Sequence, residues 1–371
     1  MIKFLFFQTQ NFYNEGSILK LYPEKFTERQ EICMKILLIG GTGTISMAVS
    51  KLLLSQGHTL YLVNRGSRSH TLTGDIIELK ADINEEASVS SLIKDLSFDV
   101  VADFIAFTKD QLARDYRLFQ GKTRQFIYIS SASAYQKPLS DYRINEGTPL
   151  ANPYWEYSRN KIAGEDYLME LYRDSGFPVT IIRPSHTYCE RSVPLGVHGT
   201  NGSYAVIKRM LEEKPVIIHG DGTSLWTLTH SQDFAKGFAG LMGNIHAIGE
   251  AVQITSDESL TWNQIYQIIA DALGVRLNAV HVSSEFLAAC SPYDFTGSLL
   301  GDKANTVVFD NSKLKRLVPG FTASIRADQG IRDTVAYVLS HPECQKEDPE
   351  FDAWCDKICA VLSHAAEKLK Y

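Results

Sequence analysis

The run MKILLIGGTGTISMAVSKLLLSQG, residues 34–57, constrains this chain more than any other stretch. Residues 35–40 are a short apolar, β-branched run, the pattern of a strand buried on both faces. A helical pattern follows, with Ile45, Val49, Leu52 and Leu53 at matching spacing and Gly57 as its stop. Glycines between a buried strand and a helix allow a tight turn and close approach of a ligand to backbone N–H groups. The helix N-terminus adds a partial positive charge. At the first strand–helix junction of a βαβ series, this arrangement is a cradle for a dinucleotide pyrophosphate. Gly40, Gly43, Thr44 and Ile45 are its candidate contacts. Ser46 takes the third small-residue position and allows close helix–sheet packing.

The pattern then repeats. Strands are expected at TLYLVN (59–64), DIIELKAD (75–82), DVVADFIAF (99–107), RQFIYISSAS (124–133) and PVTIIRP (178–184), with helical segments between them, notably residues 155–174. Strands alternating with helices predict an α/β fold with a doubly wound parallel sheet of the Rossmann kind. The rhythm changes after Pro184, where glycine-containing loop sequence replaces the periodic runs. We read residues 34–184 as a dinucleotide-binding domain, with 226–255 returning to it. Residues 185–225 and 256–371 form a smaller substrate-binding part. Residues 1–33 show no sustained period, and Met34 directly precedes the first strand. They are expected to be an extension outside the fold; an arm that packs on the body or a partner is the alternative.

Charge and cysteines narrow the function. The net charge is −6 with no basic run, which argues against a nucleic-acid partner, because phosphate neutralisation needs clustered Lys and Arg. Six cysteines occur without a CxxC pair or Cys/His cluster, so no metal site is expected. Cys355 and Cys359, one helical turn apart, read as packing on a helix face. No apolar run approaches the ~20 residues that span a bilayer, and the N-terminus lacks a signal-peptide pattern. A cytoplasmic protein, with no membrane partner, is expected.

The second strand ends LVNRGSRS. An NAD-specific site usually places an acid there for the ribose 2′-hydroxyl. Here Asn64 is followed by Arg65 and Arg68. Nothing repels a 2′-phosphate and two guanidinium groups face it, which favours NADP over NAD; solvated arginines and acceptance of either cofactor are the alternative. Asp82 is a candidate acceptor for the adenine amino group. Ile83, Ile105, Ala106 and Pro184, at strand ends, complete the candidate cofactor contacts, together with Tyr157 and Lys161. The segment YSRNK puts Tyr157 and Lys161 at i, i+4 on one helix face. A free tyrosine titrates near 10, so it serves as a general acid or base only if that value falls. The lysine is expected to lower it and to hold the nicotinamide ribose. A hydroxyl from YISSASAY would be the third member.

With GGTGTIS, FIYISSASAY, YSRNK, IIRPSHTY and HGDGTSLWTLTHSQDFA in place, the chain resembles the extended short-chain dehydrogenase/reductases of the NAD-dependent epimerase/dehydratase type over residues 34–257. The resemblance implies Ser131 as the catalytic hydroxyl, Tyr157 as base, Lys161 as its partner and Ser133 as a neighbouring substrate contact. It implies a tightly held nicotinamide that takes a hydride from a carbinol carbon while Tyr157 takes the hydroxyl proton. Return of hydride to the other face gives epimerisation, prior loss of a β-hydroxyl gives dehydration, and release of the ketone gives a dehydrogenase. A sugar-like small molecule is the implied substrate, and a homodimer through the 155–174 helix the implied assembly. The alternative is a non-catalytic member of the fold that senses dinucleotides or binds RNA.

Two departures bear on substrate. Trp226 stands where nucleotide-sugar members carry an arginine against the diphosphate; it is either a stacking face for a sugar or aglycone or a core residue. Lys208 and Arg209 are the nearest cations in sequence that would compensate. His186 replaces a frequent Asn, as a substrate hydrogen-bonding or proton-transfer group or as an ordinary loop residue. His230 and Asp233 read as structural, Asp233 as a helix cap.

Overall fold

The structure, a computed structural model, describes residues 33–65 and 72–370. The expectations for residues 1–32 and for Arg68 lie outside the described residues. Seven parallel strands form the central sheet: β1 (Lys35–Ile39), β2 (Thr59–Asn64), β3 (Ile76–Lys80), β4 (Val100–Asp103), β5 (Phe126–Ile129), β6 (Val179–Pro184) and β7 (Glu250–Ile254). Their order is β7-β6-β5-β4-β1-β2-β3, every neighbouring pair parallel. This is a doubly wound Rossmann sheet. Strand order reverses beside β1, so the crevice at the carboxyl ends of β1 and β4 is where a ligand fits.

Alternation along β1 shows why its run is apolar throughout. Ile36 and Leu38 join one buried cluster with Val49 and Leu53 of helix α1 (Ser46–Ser55) and with Phe234 and Phe238 of the helix Ser231–Leu241. Leu37 and Ile39 join the opposite cluster with Leu112 of the helix Lys109–Phe119 and Leu168 of the helix Glu156–Ser175. Helix α2 is Glu86–Leu92, α3 is Lys109–Phe119 and α4 is Glu156–Ser175. All four β1 side chains named here are fully buried, each stabilising the fold by roughly 1.5–3 kcal/mol before entropy is counted. A third cluster, around Trp226, Trp262 and Tyr266, forms the core beyond the sheet.

The fourth strand is shorter than its sequence suggests. DVVADFIAF reads as nine strand residues, but β4 stops at Asp103. The buried Asp103 carboxylate accepts from the Ile105 N–H at 2.5 Å and the Ala106 N–H at 2.8 Å. Those donors therefore leave the sheet ladder, and the chain turns across the crevice. Arg114 pairs with Asp103 at 3.4 Å and Asp115 at 2.7 Å, and donates to Asn84 Oδ1 at 2.7 Å. Burial, reinforced by the Asp103 charge, pushes the Asp115 carboxyl well above its usual range.

Candidate active site

Immediately after β1, Gly40 turns with φ +80°, a left-handed backbone open to glycine. A Cβ there would lie 2.5 Å from Ile105 Cγ2, so the loop after β4 closes tightly over this turn. Ser46 Oγ donates to the Gly40 carbonyl at 2.6 Å and accepts from the Gly43 N–H at 2.8 Å. It thus pins both ends of the cradle, beyond the packing role its size suggested. No side chain caps the start of α1, whose first-turn N–H groups suit an anion. Gly40, Gly43, Asn64, Arg65, Asp82, Ile83 and Ile105 share one cavity of about 460 Å³ with Thr42 and Asn84, two residues missed in the sequence. Asp82 Oδ1 accepts from the Asn84 backbone at 2.9 Å and side chain at 3.0 Å. A left-handed glycine turn where a Cβ would displace Ile105, at a helix N-terminus beside a cavity, fits a dinucleotide. Thr44 lies apart: it lines a separate cleft between α1 and the helices Ser231–Leu241 and Ala327–Ser340.

The catalytic candidates meet at the ends of β5 and β6. Ser131 caps a single 3-10 turn, Ala132–Ala134, by accepting from the Ser133 N–H at 3.1 Å. Ser158 Oγ donates to Ser133 Oγ at 2.7 Å, the Ser133 and Ser131 hydroxyls lie 2.9 Å apart, and Ser131 lines the same cavity as Tyr157. A chain of hydroxyls therefore leads to Ser131, on the cavity that Tyr157 also lines. Ser133 is a buried link in that chain as well as a cavity residue. Lys161 Nζ donates to the carbonyls of Ala106 at 2.7 Å and Ile129 at 2.8 Å. Ala106 thus meets the lysine through its backbone, and the Asp103 clamp sets where that carbonyl stands.

One electrostatic expectation is corrected. Burial raises the Tyr157 hydroxyl above its ordinary value; the Ser131 hydrogen bond opposes this and the Asp302 charge adds to it. Lys161 does not lower it. Its nitrogen is turned to two carbonyls and sits 5.7 Å from the centre of the Tyr157 ring. Burial lowers Lys161 itself to about 8, against the pull of Asp103 and Glu165. Desolvation disfavours the charged form of both groups and is the largest influence on each.

Ser131, Ser133, Tyr157, Ile45, Pro184, His186 and Trp226 all line a second cavity of about 320 Å³. Burial, with Lys303 and His198 adding, holds His186 down to about 3. It is therefore neutral at pH 7. Trp226 is 4% exposed and tilts on Trp262 with ring centres 5.7 Å apart. It belongs to the core and presents its remaining edge to the cavity. The sequence reading missed Lys137, Asp302 and Lys303, which line the same space. Lys137 stands two residues past the Ser131–Tyr135 motif, a signal within reach. Asp302 and Lys303 end a π-helical segment, Thr296–Lys303, held by Trp262 Nε1 and His219 Nε2 on the Lys303 carbonyl at 3.0 and 3.1 Å.

Other expectations shift. Lys208 pairs with Glu347, and buried Arg209 pairs with Asp352 and Asp356, so neither faces the cavity. His230, rather than Asp233, caps its helix, accepting from the Gln232 N–H at 3.3 Å. Asp233, in the first turn, instead accepts from the Ile325 N–H at 2.8 Å.

Among known proteins, 2′-dehydrokanamycin reductase of Streptomyces kanamyceticus is 24% identical over 302 residues, covering 79% of this chain and 81% of that protein. The chloroplast stem-loop binding protein of 41 kDa b of Arabidopsis thaliana is 27% identical over 253 residues, covering 65% of this chain and 63% of that one. The structure of UDP-glucuronic acid 4-epimerase from Bacillus cereus, in complex with UDP-glucuronic acid and NAD, shares the fold with a TM-score of 0.65 at 21% identity. It covers 83% of this chain and 99% of the other. Residues 36–255 match the NAD dependent epimerase/dehydratase family, over half of the chain, with the glycine cradle and the Ser131, Tyr157 and Lys161 site inside the match. The protein is therefore a member of the NAD dependent epimerase/dehydratase family and an enzyme of the extended short-chain dehydrogenase/reductase type.

Proposed function

We propose that the protein is an NAD(P)-dependent oxidoreductase, epimerase or dehydratase that acts on a sugar or sugar-like polyol through a transient keto intermediate. The observation that carries this is the Ser158–Ser133–Ser131 hydroxyl chain, which shares a cavity of about 320 Å³ with Tyr157, whose ring centre lies 5.7 Å from Lys161 Nζ. When bound, the nicotinamide supplies a hydride acceptor and donor. Tyr157 Oη exchanges the proton of the substrate hydroxyl; burial raises it in the cofactor-free site, so this role needs the positive charge that an oxidised nicotinamide would add. Ser131 Oγ holds the same oxygen, and the Ser133–Ser158 chain fixes Ser131. Lys161 anchors the ribose side of the cofactor site and keeps the loop after β4 in register. Gly40, Gly43 and the start of α1 hold the pyrophosphate. Arg65, exposed at the end of β2 with Asn64, supports NADP over NAD as the preferred cofactor, since no carboxylate occupies the end of β2. The reductase relative is named for 2′-dehydrokanamycin, which agrees with a substrate lacking a nucleotide.

Mass spectrometry of the copurifying cofactor, followed by incubation with a sugar panel in deuterated water, tests this reading. Solvent deuterium beside a carbonyl marks elimination or enolisation, and inversion without it marks hydride return. Absence of any turnover or bound dinucleotide rejects the proposal. The stem-loop binding relative favours a second reading, RNA binding. RNA retention that weakens steeply with salt would support it.

A further inference from the structure

We propose that the substrate carries an oxyanion, a carboxylate or a phosphate, which Lys137 binds inside the Ser131/Tyr157 cavity. The proposal rests on the catalytic reading above and names the class of substrate for that site. Lys137 is 3% exposed and lines this cavity, yet its Nζ has no hydrogen-bond partner among the described residues. Buried ammonium groups are almost always paired, because desolvation without a partner is costly. Two more cavity residues show the same lack: Trp226 Nε1 and Thr187 Oγ1 are buried without a partner among the described residues. An ammonium and an indole N–H can only donate. The polar groups left over therefore ask for an acceptor, and an oxyanion offers several lone pairs and a compensating charge.

The acidic residue nearby does not remove the surplus. Asp302 lies against Lys303 at 3.8 Å, and Lys137 has no ion pair among the described residues. Burial lowers Lys137 and raises Asp302; the paired cation of Asp302 is Lys303, while Lys137 Nζ has no hydrogen-bond partner among the described residues. A neutral polyol would satisfy the donors with hydroxyls but leave Asp302 as the one nearby carboxylate, among the described residues, for two cations, Lys137 and Lys303. Lys303 lies on the same wall as a second cation.

The test is calorimetry on the full-length, NAD-loaded protein with D-glucose, D-glucuronate, glucose 1-phosphate and UDP. At least one anionic probe is expected to bind about 10- to 150-fold more tightly than glucose, the range for one charge-assisted hydrogen bond. Glucuronate would identify a sugar acid, glucose 1-phosphate a sugar phosphate, and UDP a nucleoside diphosphate. Lys137→Met should erase the preference while NAD binding and melting temperature hold. Lys137→Gln, polar and uncharged, should do the same. Equal binding of all four probes, or a preference that survives both substitutions, overturns the proposal. Absorbance of reduced nicotinamide reads turnover separately: Tyr157→Phe should keep the anion preference and lose turnover. Anion binding without turnover in the unmodified protein would leave the Lys137 site standing and reject the catalytic reading.

Discussion

Replacing Gly40 with alanine tests the phosphate cradle at its tightest point. Two costs follow from the geometry. The φ of +80° disfavours any L side chain by about 1–2 kcal/mol. The new Cβ would also lie 2.5 Å from Ile105 Cγ2, inside van der Waals contact. Ile105 is 39% exposed, so it yields by swinging outward, and this part falls at the lower end of the ~1–3 kcal/mol typical of overpacking. Together they predict a loss of about 2–3 kcal/mol. At roughly 2 °C per kcal/mol for a large domain, melting should fall by about 4–6 °C. Ile105 lines the dinucleotide cavity, so its displacement also falls on the cofactor. NAD affinity measured by calorimetry should drop at least ~10-fold, equivalent to about 1.4 kcal/mol. In an Ile105→Ala background the penalty of Gly40→Ala should shrink to its backbone part, a coupling that a double-mutant cycle reads directly. Unchanged NAD affinity in Gly40→Ala would refute the cradle. An equal penalty in both backgrounds would refute the clash as its cause.

Other expectations concern the catalytic groups. Tyr157→Phe keeps the ring and removes the hydroxyl, so turnover should fall by at least ~100-fold while cofactor still binds; unaltered turnover would reject the mechanism. Lys161, lowered from 10.5 to about 8 by burial, is charged below that pH, so turnover should decline as pH rises through 8, and a flat profile from pH 7 to about 9 would count against its role. The sign for stability is the reverse. The unfolded chain binds the Lys161 proton more tightly, so its charge opposes folding by about 3 kcal/mol below pH 8, and the cost disappears as pH climbs toward 10.5. Asn64→Asp should shift competitive binding toward NAD over NADP, because a carboxylate repels a 2′-phosphate; an unchanged ratio would place ribose recognition elsewhere.

Much of this protein follows from local pattern. The buried run at β1, the glycines after it and the alternation of strand with helix define a Rossmann sheet because each is set by short-range sterics and by the period of apolar residues. Tyr157 and Lys161 share a helix face for the same reason, and Ser131 is placed by the end of a strand. Sequence alone therefore placed the glycine turn before a helix and named Ser131, Tyr157 and Lys161 as candidates. It did not specify how those groups are tuned. Tyr157 lies above its ordinary value and Lys161 below, because burial depends on what the whole chain packs around them. Nor did it show that β4 ends in a buried carboxylate clamp, since Asp103, Arg114 and Asn84 meet only after α2 and α3 have packed. The substrate wall shows this most clearly. Lys137, Trp226 and Lys303 come from segments far apart in the chain and converge on one cavity. No spacing records that meeting; it comes from long-range packing of the π-helical segment Thr296–Lys303 against Trp262 and His219, which brings Lys303 to the cavity that Ser131 and Tyr157 line.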